Sequence, residues 1–352
     1  MGLEKQDSVM KVGYVAPMSI AAVNGGMRNQ ALNTISKIHE LGIETVKLSP
    51  WEDLSELNLD LVHIFGASVE NIGIVNQLYN TDIPIVLSPI FYSNRSASFI
   101  NRVLNVEQFL KPLSRGIRSD FSVQRDLCRK VNLLLPNTAD ESMMIREAFS
   151  IPEERIIVTP NGVESHFEHA NPDLFVKEYG CKDFVLFAGQ AGAERKNVIK
   201  LLEISDKMNV PVVIIGSFYD DAYGKKCLNM ASELDNVILI ETLDHDSELL
   251  ASAYAASKVF VLPSQFETPG IAAMEAALTG SQVVITKNGG TKEYFGDHVN
   301  YIDPNSANSL LQGIQNALAQ EQSDDLKVHI LQNYTWNKVA KMTAENYQTL
   351  IS

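Results

Sequence analysis

The 352-residue chain reads as an α/β protein built from two doubly wound, parallel-sheet domains. Three observations predict this. Short, near-continuous apolar runs alternate with helix-patterned stretches, as expected of strands covered by helices on both faces. The runs form two series rather than one. The length exceeds one ordinary domain, and 45% hydrophobic with 20% charged residues is a globular composition.

The first series is KVGYVA (11–16), TVKL (45–48), LVHIF (61–65), IPIVLS (83–88) and NLLLP (132–136). The first strand leads into VGYVAPMSIAAVNGGMRNQAL, where Gly25 and Gly26 precede a helix starting near Met27. A glycine pair before a helix is common, so this loop is a weak signal alone. No G-x-G-x-x-G follows any strand and no Walker sequence occurs, which argues against a dinucleotide fold of the Rossmann type and against a P-loop. Arg28 faces either an acceptor phosphate or water. His63 is either a packed histidine or a cleft residue.

Residues 95–130 depart from the acidic balance of the chain, with eight basic residues against three acidic ones in a protein of net charge −14. Phe99, Val103, Val106, Leu110, Leu113 and Ile117 recur there at helical spacing, and Pro112 kinks or breaks that helix. A basic amphipathic segment suits anionic lipid. The alternative is a core-facing helix with a basic outer face.

Pro, Gly and Asn cluster in TPNGVESHFEHANPD, which places a linker at 159–173. The expected domains are 8–165 and 166–334, with a closing helix at 335–352. HFEH (166–169) lacks further ligands at a recognisable spacing, so no metal is read there.

The second series is DFVLFA (183–188), VPVVII (210–215), VILI (237–240), KVFVLP (258–263), QVVI (282–285) and VNYI (299–302). DFVLFAGQAGAERKN reads as strand, glycine loop, helix, with Gly189 and Gly192 allowing close backbone approach. Arg195 and Lys196 near a helix start oppose the helix dipole, unless a phosphate lies between. For Arg195 a solvated side chain is the simpler reading, and for Lys196 a phosphate contact is. In DHD (244–246), Asp246 serves as N-cap for SELLASAY rather than as a metal ligand.

The most informative stretch is SQFETPGIAAMEA (264–276). Thr268 suits an N-cap and Pro269 the first helical position. Ile271, Met274 and Leu278 form an apolar stripe, and Glu275 falls inside it. A carboxylate there must find donors or be protonated. Glu267 precedes the helix, beside the free N–H groups of Gly270 and Ile271. Two acceptors beside backbone donors suit a polyhydroxylated, phosphate-bearing ligand. The alternative is a core helix whose Glu275 pairs with an arginine from elsewhere.

No apolar run is long enough to span a bilayer. The start shows no secretory pattern, and three scattered cysteines argue for a reducing compartment. The acidic charge argues against nucleic acid as a partner.

With these residues assembled, nearly the whole chain resembles the GT-B glycosyltransferases of the large retaining family 4. FETPGIAAMEA is similar to that family's E-x7-E element, usually EGFG…LEA. LPNTADESMMIREAFSIPEERIIVTPNGV resembles its interdomain passage. NGGTKEYFGDHVNYIDP resembles its GG-x-x-E…G…DP segment, and TWNKVAKMTAENY its closing helix.

The resemblance implies two Rossmann-like domains facing across a cleft, the first binding an acceptor and the second a UDP- or GDP-linked sugar, with the last helix returning to the first domain. It implies that Glu275 holds the ribose hydroxyls and that Glu267 contacts the sugar, with Gly270, Ile271 and Thr268 beside it. Lys196 binds the diphosphate, aided by Arg195 and Gln190, and the Gly25–Gly26 loop approaches from the first domain. It implies no cofactor and no bound metal, because fixed cations and helix dipoles stabilise the departing diphosphate. The acceptor is a glycan or lipid-linked glycan, contacted by Arg28, His63, Ser88 or Tyr92. The location is cytoplasmic, peripheral at the inner membrane face if 95–130 touches lipid.

Three departures stand out. Gln190 occupies a position that is often Arg, Thr268 and Pro269 replace Gly and Phe, and Ile90 stands where a His is common, so that role is absent or moved to Ser88 or Tyr92. Epimerase or phosphorylase chemistry on the same fold, or a two-lobed sugar-binding protein, are the alternative readings.

Overall fold

A computed structural model describes residues 9–22, 25–93, 95–110, 118–321 and 323–352. The chain divides into two compact units. Unit 1 is Met1–Gly162 with Trp336–Ser352, and unit 2 is Val163–Thr335.

Unit 1 holds strands β1 (Lys11–Val15), β2 (Glu44–Lys47), β3 (Leu61–Phe65), β4 (Ile85–Ser88) and β5 (Leu133–Leu134). They pair in parallel in the order β2-β1-β3-β4-β5. Its helices are α1 (Gly26–Glu40), α2 (Ile72–Leu78), α3 (Ala97–Leu110), α4 (Asp120–Lys130) and α5 (Ala139–Phe149). The central strand β3 is buried throughout, which is why LVHIF is continuously apolar except at His63. That histidine is tolerated because Tyr347 Oη lies 2.5 Å from Nδ1 and Ser88 Oγ 2.9 Å from Nε2. Burial pushes the ring well below its usual pKa, to about 3, so it is neutral.

Unit 2 holds β6 (Phe184–Ala188), β7 (Val212–Ile215), β8 (Val237–Ile240), β9 (Ser257–Leu262), β10 (Gln282–Thr286) and β11 (Asn300–Ile302). All pair in parallel, in the order β11-β10-β9-β6-β7-β8. Its helices are α6 (Asp173–Tyr179), α7 (Val198–Ser205), α8 (Ala222–Ser232), α9 (Glu248–Ala256), α10 (Ile271–Leu278), α11 (Thr291–Phe295), α12 (Ala307–Ala319) and α13 (Asp325–Asn333). The chain then returns to unit 1 as α14 (Trp336–Ile351), whose Ala340, Ala344 and Tyr347 pack with Val12, Tyr14, Ala31 and Phe65. Every apolar run singled out above is a strand, and the sheets are parallel, as continuous hydrophobicity requires.

Three expectations need correction. The helix after β9 begins at Ile271, not at Thr268–Pro269. Glu267 instead bridges to the loop after β10, its N–H donating to Asn288 O and Gly290 N–H donating to Glu267 O. Gly270 then turns the chain with φ +93°, a conformation that costs an L-residue about 1–2 kcal/mol. Asp246 is not the cap of α9, since Ser247 accepts the Leu250 N–H. In α3 the core face is Ile100 and Leu104, whereas Phe99, Val106 and Leu110 of the expected stripe are exposed, together with Phe109 at 80%. Lys111, Pro112, Leu113, Arg115 and Ile117 lie outside the described residues.

Among the described residues, no helix is long and apolar enough to cross a membrane.

Candidate active site

Strand order locates the site. The chain leaves β6 through α7 toward β7, and leaves the neighbouring strand β9 through α10 toward β10. The loops after β6 and β9 therefore diverge. Such a switch point opens a crevice at the carboxyl ends of a parallel sheet.

The loop after β6 is held by its own packing. A Cβ on Gly192 would lie 2.4 Å from the Tyr219 nitrogen, so the close approach that glycine permits here is to residues 218–219. A short 3-10 turn, Glu194–Lys196, follows and ends at Asn197. The Asn197 amide donates to Pro263 O at 3.0 Å and Pro304 O at 2.9 Å, tying the turn to the segments beyond β9 and β11. Gln265 N–H donates to Arg195 O at 2.8 Å and joins the two diverging loops.

These ties deliver Lys196 Nζ to 2.5 Å from Glu267 Oε1. Ser264 Oγ donates to the same oxygen at 2.6 Å. Glu267 is only 6% exposed. Burial alone would raise its pKa, but the Lys196 charge and the hydrogen bonds from Lys196 and Ser264 hold it below the usual carboxylate value. The carboxylate is thus ionised and paired with a lysine. Arg195 is exposed, with its guanidinium 5.9 Å from the Phe266 ring centroid. Gln190 is half-buried at the end of β6. Thr268 Oγ1 is buried with no hydrogen-bond partner, and Gly270 and Ile271 lie beside it in sequence at the start of α10.

Glu275, one turn into α10, is 3% exposed. Its partner is not an arginine. Tyr254 Oη donates to Oε2 at 2.8 Å, and His245 Nε2 lies 2.7 Å from Oε1. Burial, and then the adjoining carboxylate, push the Tyr254 hydroxyl well above its usual pKa, so it remains a donor. Sequence reasoning missed His245, Tyr254, Ser264 and Asn197. DHD drew attention only as a metal motif or cap, and the other three carry no local signal. Only the buried carboxylates announced that donors must exist.

In unit 1, Gly25 precedes α1, Gly26 begins it, and Arg28 Nη1 donates to Ile20 O at 2.7 Å, bracing the loop after β1. His63 is 1% exposed and Ser88 3%, and the two are hydrogen-bonded to one another. Ile90 adopts φ +53°, a strained backbone for a β-branched residue, and Tyr92 beyond it is partly exposed. Among the described residues, no group of three or more His, Cys, Asp or Glu side chains is arranged to hold a metal ion.

Residues 175–333 match the family model described as glycosyl transferases group 1. An uncharacterized glycosyltransferase of Methanocaldococcus jannaschii is 25% identical over 218 residues, 57% of this chain and 55% of the relative. A GDP-mannose-dependent alpha-mannosyltransferase of Corynebacterium glutamicum is 23% identical over 83% of this chain and 76% of its own. The chain spans about half the length of the first curated relatives it matches, 55% and 57% of two of them. Solved structures share the fold throughout. Sucrose-phosphate synthase from Thermosynechococcus elongatus superposes with a TM-score of 0.76 at 15% identity, covering 97% of this chain and 99% of that one. The Anabaena protein HepE in complex with UDP and glucose gives 0.73 at 15% identity, covering 97% and 100%. Two parallel sheets and a returning last helix give the chain the GT-B fold, and residues 175–333 in its second unit match the glycosyl transferases group 1 model.

Proposed function

We propose that the protein is a retaining, family 4-type glycosyltransferase that moves a sugar from a UDP- or GDP-linked donor to a hydroxyl of a glycan or lipid-linked glycan, without a bound metal. One observation carries the reading. Lys196 and Ser264 pair with Glu267 where the loops after β6 and β9 meet, and Glu275, on the helix that follows, is held by Tyr254 and His245. The names of the relatives and the UDP complexes of fold neighbours agree with it.

In this reading the donor diphosphate takes over Lys196, which at present neutralises Glu267. The released Glu267 accepts hydroxyls of the transferred sugar, and Thr268 Oγ1 finds its partner there. Glu275 accepts the ribose diol. Lys196 stabilises charge as the nucleoside diphosphate departs, and the acceptor hydroxyl attacks from the same face.

Calorimetry with UDP, GDP, ADP and free sugars tests it. One nucleoside diphosphate should bind wild type, and Glu275→Ala should lose that binding while keeping the fold. Normal turnover by that variant would show the site assignment to be wrong. Binding of free sugar with no nucleotide would favour a sugar-binding protein. Turnover of donor alone, or with inorganic phosphate as acceptor, would favour an epimerase or a phosphorylase.

A membrane-facing role belongs to the same proposal. The outer face of α3 presents Phe99, Val106 and Phe109 beside Arg95 and Arg102, with Arg95 stacked 5.2 Å from the Phe99 ring centroid. An apolar face set among cations, in a segment opposite in sign to the rest of the chain, fits an anionic lipid surface. Phe109→Asp should abolish co-sedimentation with phosphatidylglycerol vesicles, and retention would refute this part.

A further inference from the structure

His245 lies in the loop 241–247, between β8 and α9. Its Nε2 is 2.7 Å from Glu275 Oε1 and its Nδ1 is 3.1 Å from Asp246 Oδ1. The hydrogen bond to Glu275 raises the His245 pKa to about 9, so at neutral pH both ring nitrogens carry protons and donate to these two side chains. The side chain is 37% exposed against 4% for that of Glu275, so the ring reaches from solvent to a buried carboxylate. Titratable groups around it include Asp246 on its own loop, Glu275 on α10, and Tyr254 on α9, which shares that carboxylate. Phe167 meets the imidazole edge-on at 5.9 Å, and His166 stacks on Phe167.

A carboxylate offers about four acceptor directions. His245 takes one at Oε1 and Tyr254 one at Oε2, which leaves about two, enough for a vicinal diol. Resting on the donor-site reading of Glu275, we propose that His245 is a positioning residue of that site: as an imidazolium it fixes the Glu275 carboxylate, ionised and oriented, to receive the diol of a nucleoside diphosphate. Without it the buried Glu275 carboxyl group loses its charged hydrogen-bond partner and the restraint on its orientation. The hydrogen bond to Glu275 raises the His245 pKa to about 9 against the effect of burial, so the arrangement holds through neutral pH.

The experiment is calorimetric binding of whichever of UDP, GDP or ADP binds wild type, between pH 7 and pH 10. His245→Ala should lose about tenfold in affinity at pH 7, the cost of one charge-assisted hydrogen bond to a buried acceptor. His245→Gln, which keeps a donor near Nε2, should bind within about threefold of wild type. The wild-type to Gln-variant affinity ratio, in which the ligand's own titration cancels, should fall as pH passes about 9. The effect of His245→Ala should vanish in a Glu275→Gln background, because the histidine acts only through that carboxylate. Undiminished affinity in His245→Ala, or a ratio independent of pH, overturns the inference while leaving the donor site standing. Undiminished affinity in Glu275→Ala overturns the donor-site reading itself.

Discussion

Lys196 and Glu267 neutralise one another across 2.5 Å. Removing either leaves a mostly buried charge unpaired, which costs about 3–5 kcal/mol. Lys196→Met should therefore destabilise the protein in urea titrations and also weaken nucleoside diphosphate binding by roughly tenfold to a hundredfold, the worth of one charged phosphate contact. Lys196→Met binding as tightly as wild type would remove Lys196 from the site. His245 gives a stability signature of its own. Its folded pKa of about 9 exceeds the ordinary value of 6.5, so its contribution is complete below pH 6.5, fades through the interval, and is gone above about pH 9. The urea-midpoint difference between wild type and His245→Gln should shrink over that window, and a constant difference would show that no such proton is bound. Glu275 and Lys196 stand out in the sequence because a carboxylate in an apolar stripe and a cation at a helix start each break a local rule. His245 and Tyr254 break none, and only the fold brings them within reach.

At the scale of elements, the strands were the readable part. Period and continuity of apolar residues survive any tertiary context, and all eleven apolar runs lie in the two sheets. Helix ends were not as readable. Thr268–Pro269 has good local credentials for a helix start, but the backbone of Glu267 is claimed by the loop after β10. Gly270→Ala is accordingly expected to cost about 1–2 kcal/mol, since φ +93° forces a left-handed alanine. Thermal unfolding of the variant measures it, and an unchanged midpoint would mean that α10 restarts earlier. The face of α3 was misread for a related reason. Helical spacing gives the period of a stripe but not which stripe meets the core, and here Ile100 and Leu104 do.

The fold of unit 1 depends on a chain reversal at the end of the sequence. Helix α14 is the last element in sequence, yet it belongs to unit 1 and covers the sheet formed at the start of the chain. Tyr347 carries that dependence inward, through its hydroxyl to His63. Deleting residues 336–352 should uncover Val12, Ala31, Leu61 and Leu133 and raise binding of an apolar dye. A truncated protein with wild-type dye response and unfolding midpoint would show that α14 is dispensable.

The sequence by itself determined that the sheets are parallel and that there are two of them, and it singled out Lys196, Glu267 and Glu275 as charges in need of partners, because each of these follows from side-chain polarity along a local stretch. Tertiary structure alone decided which loops meet at the switch point, which donors satisfy the buried carboxylates, and which face of α3 is left to solvent. Those outcomes rest on contacts between residues far apart in the chain, Lys196 with Glu267 and His63 with Tyr347 among them, and loop closure over such separations leaves no trace in any local window.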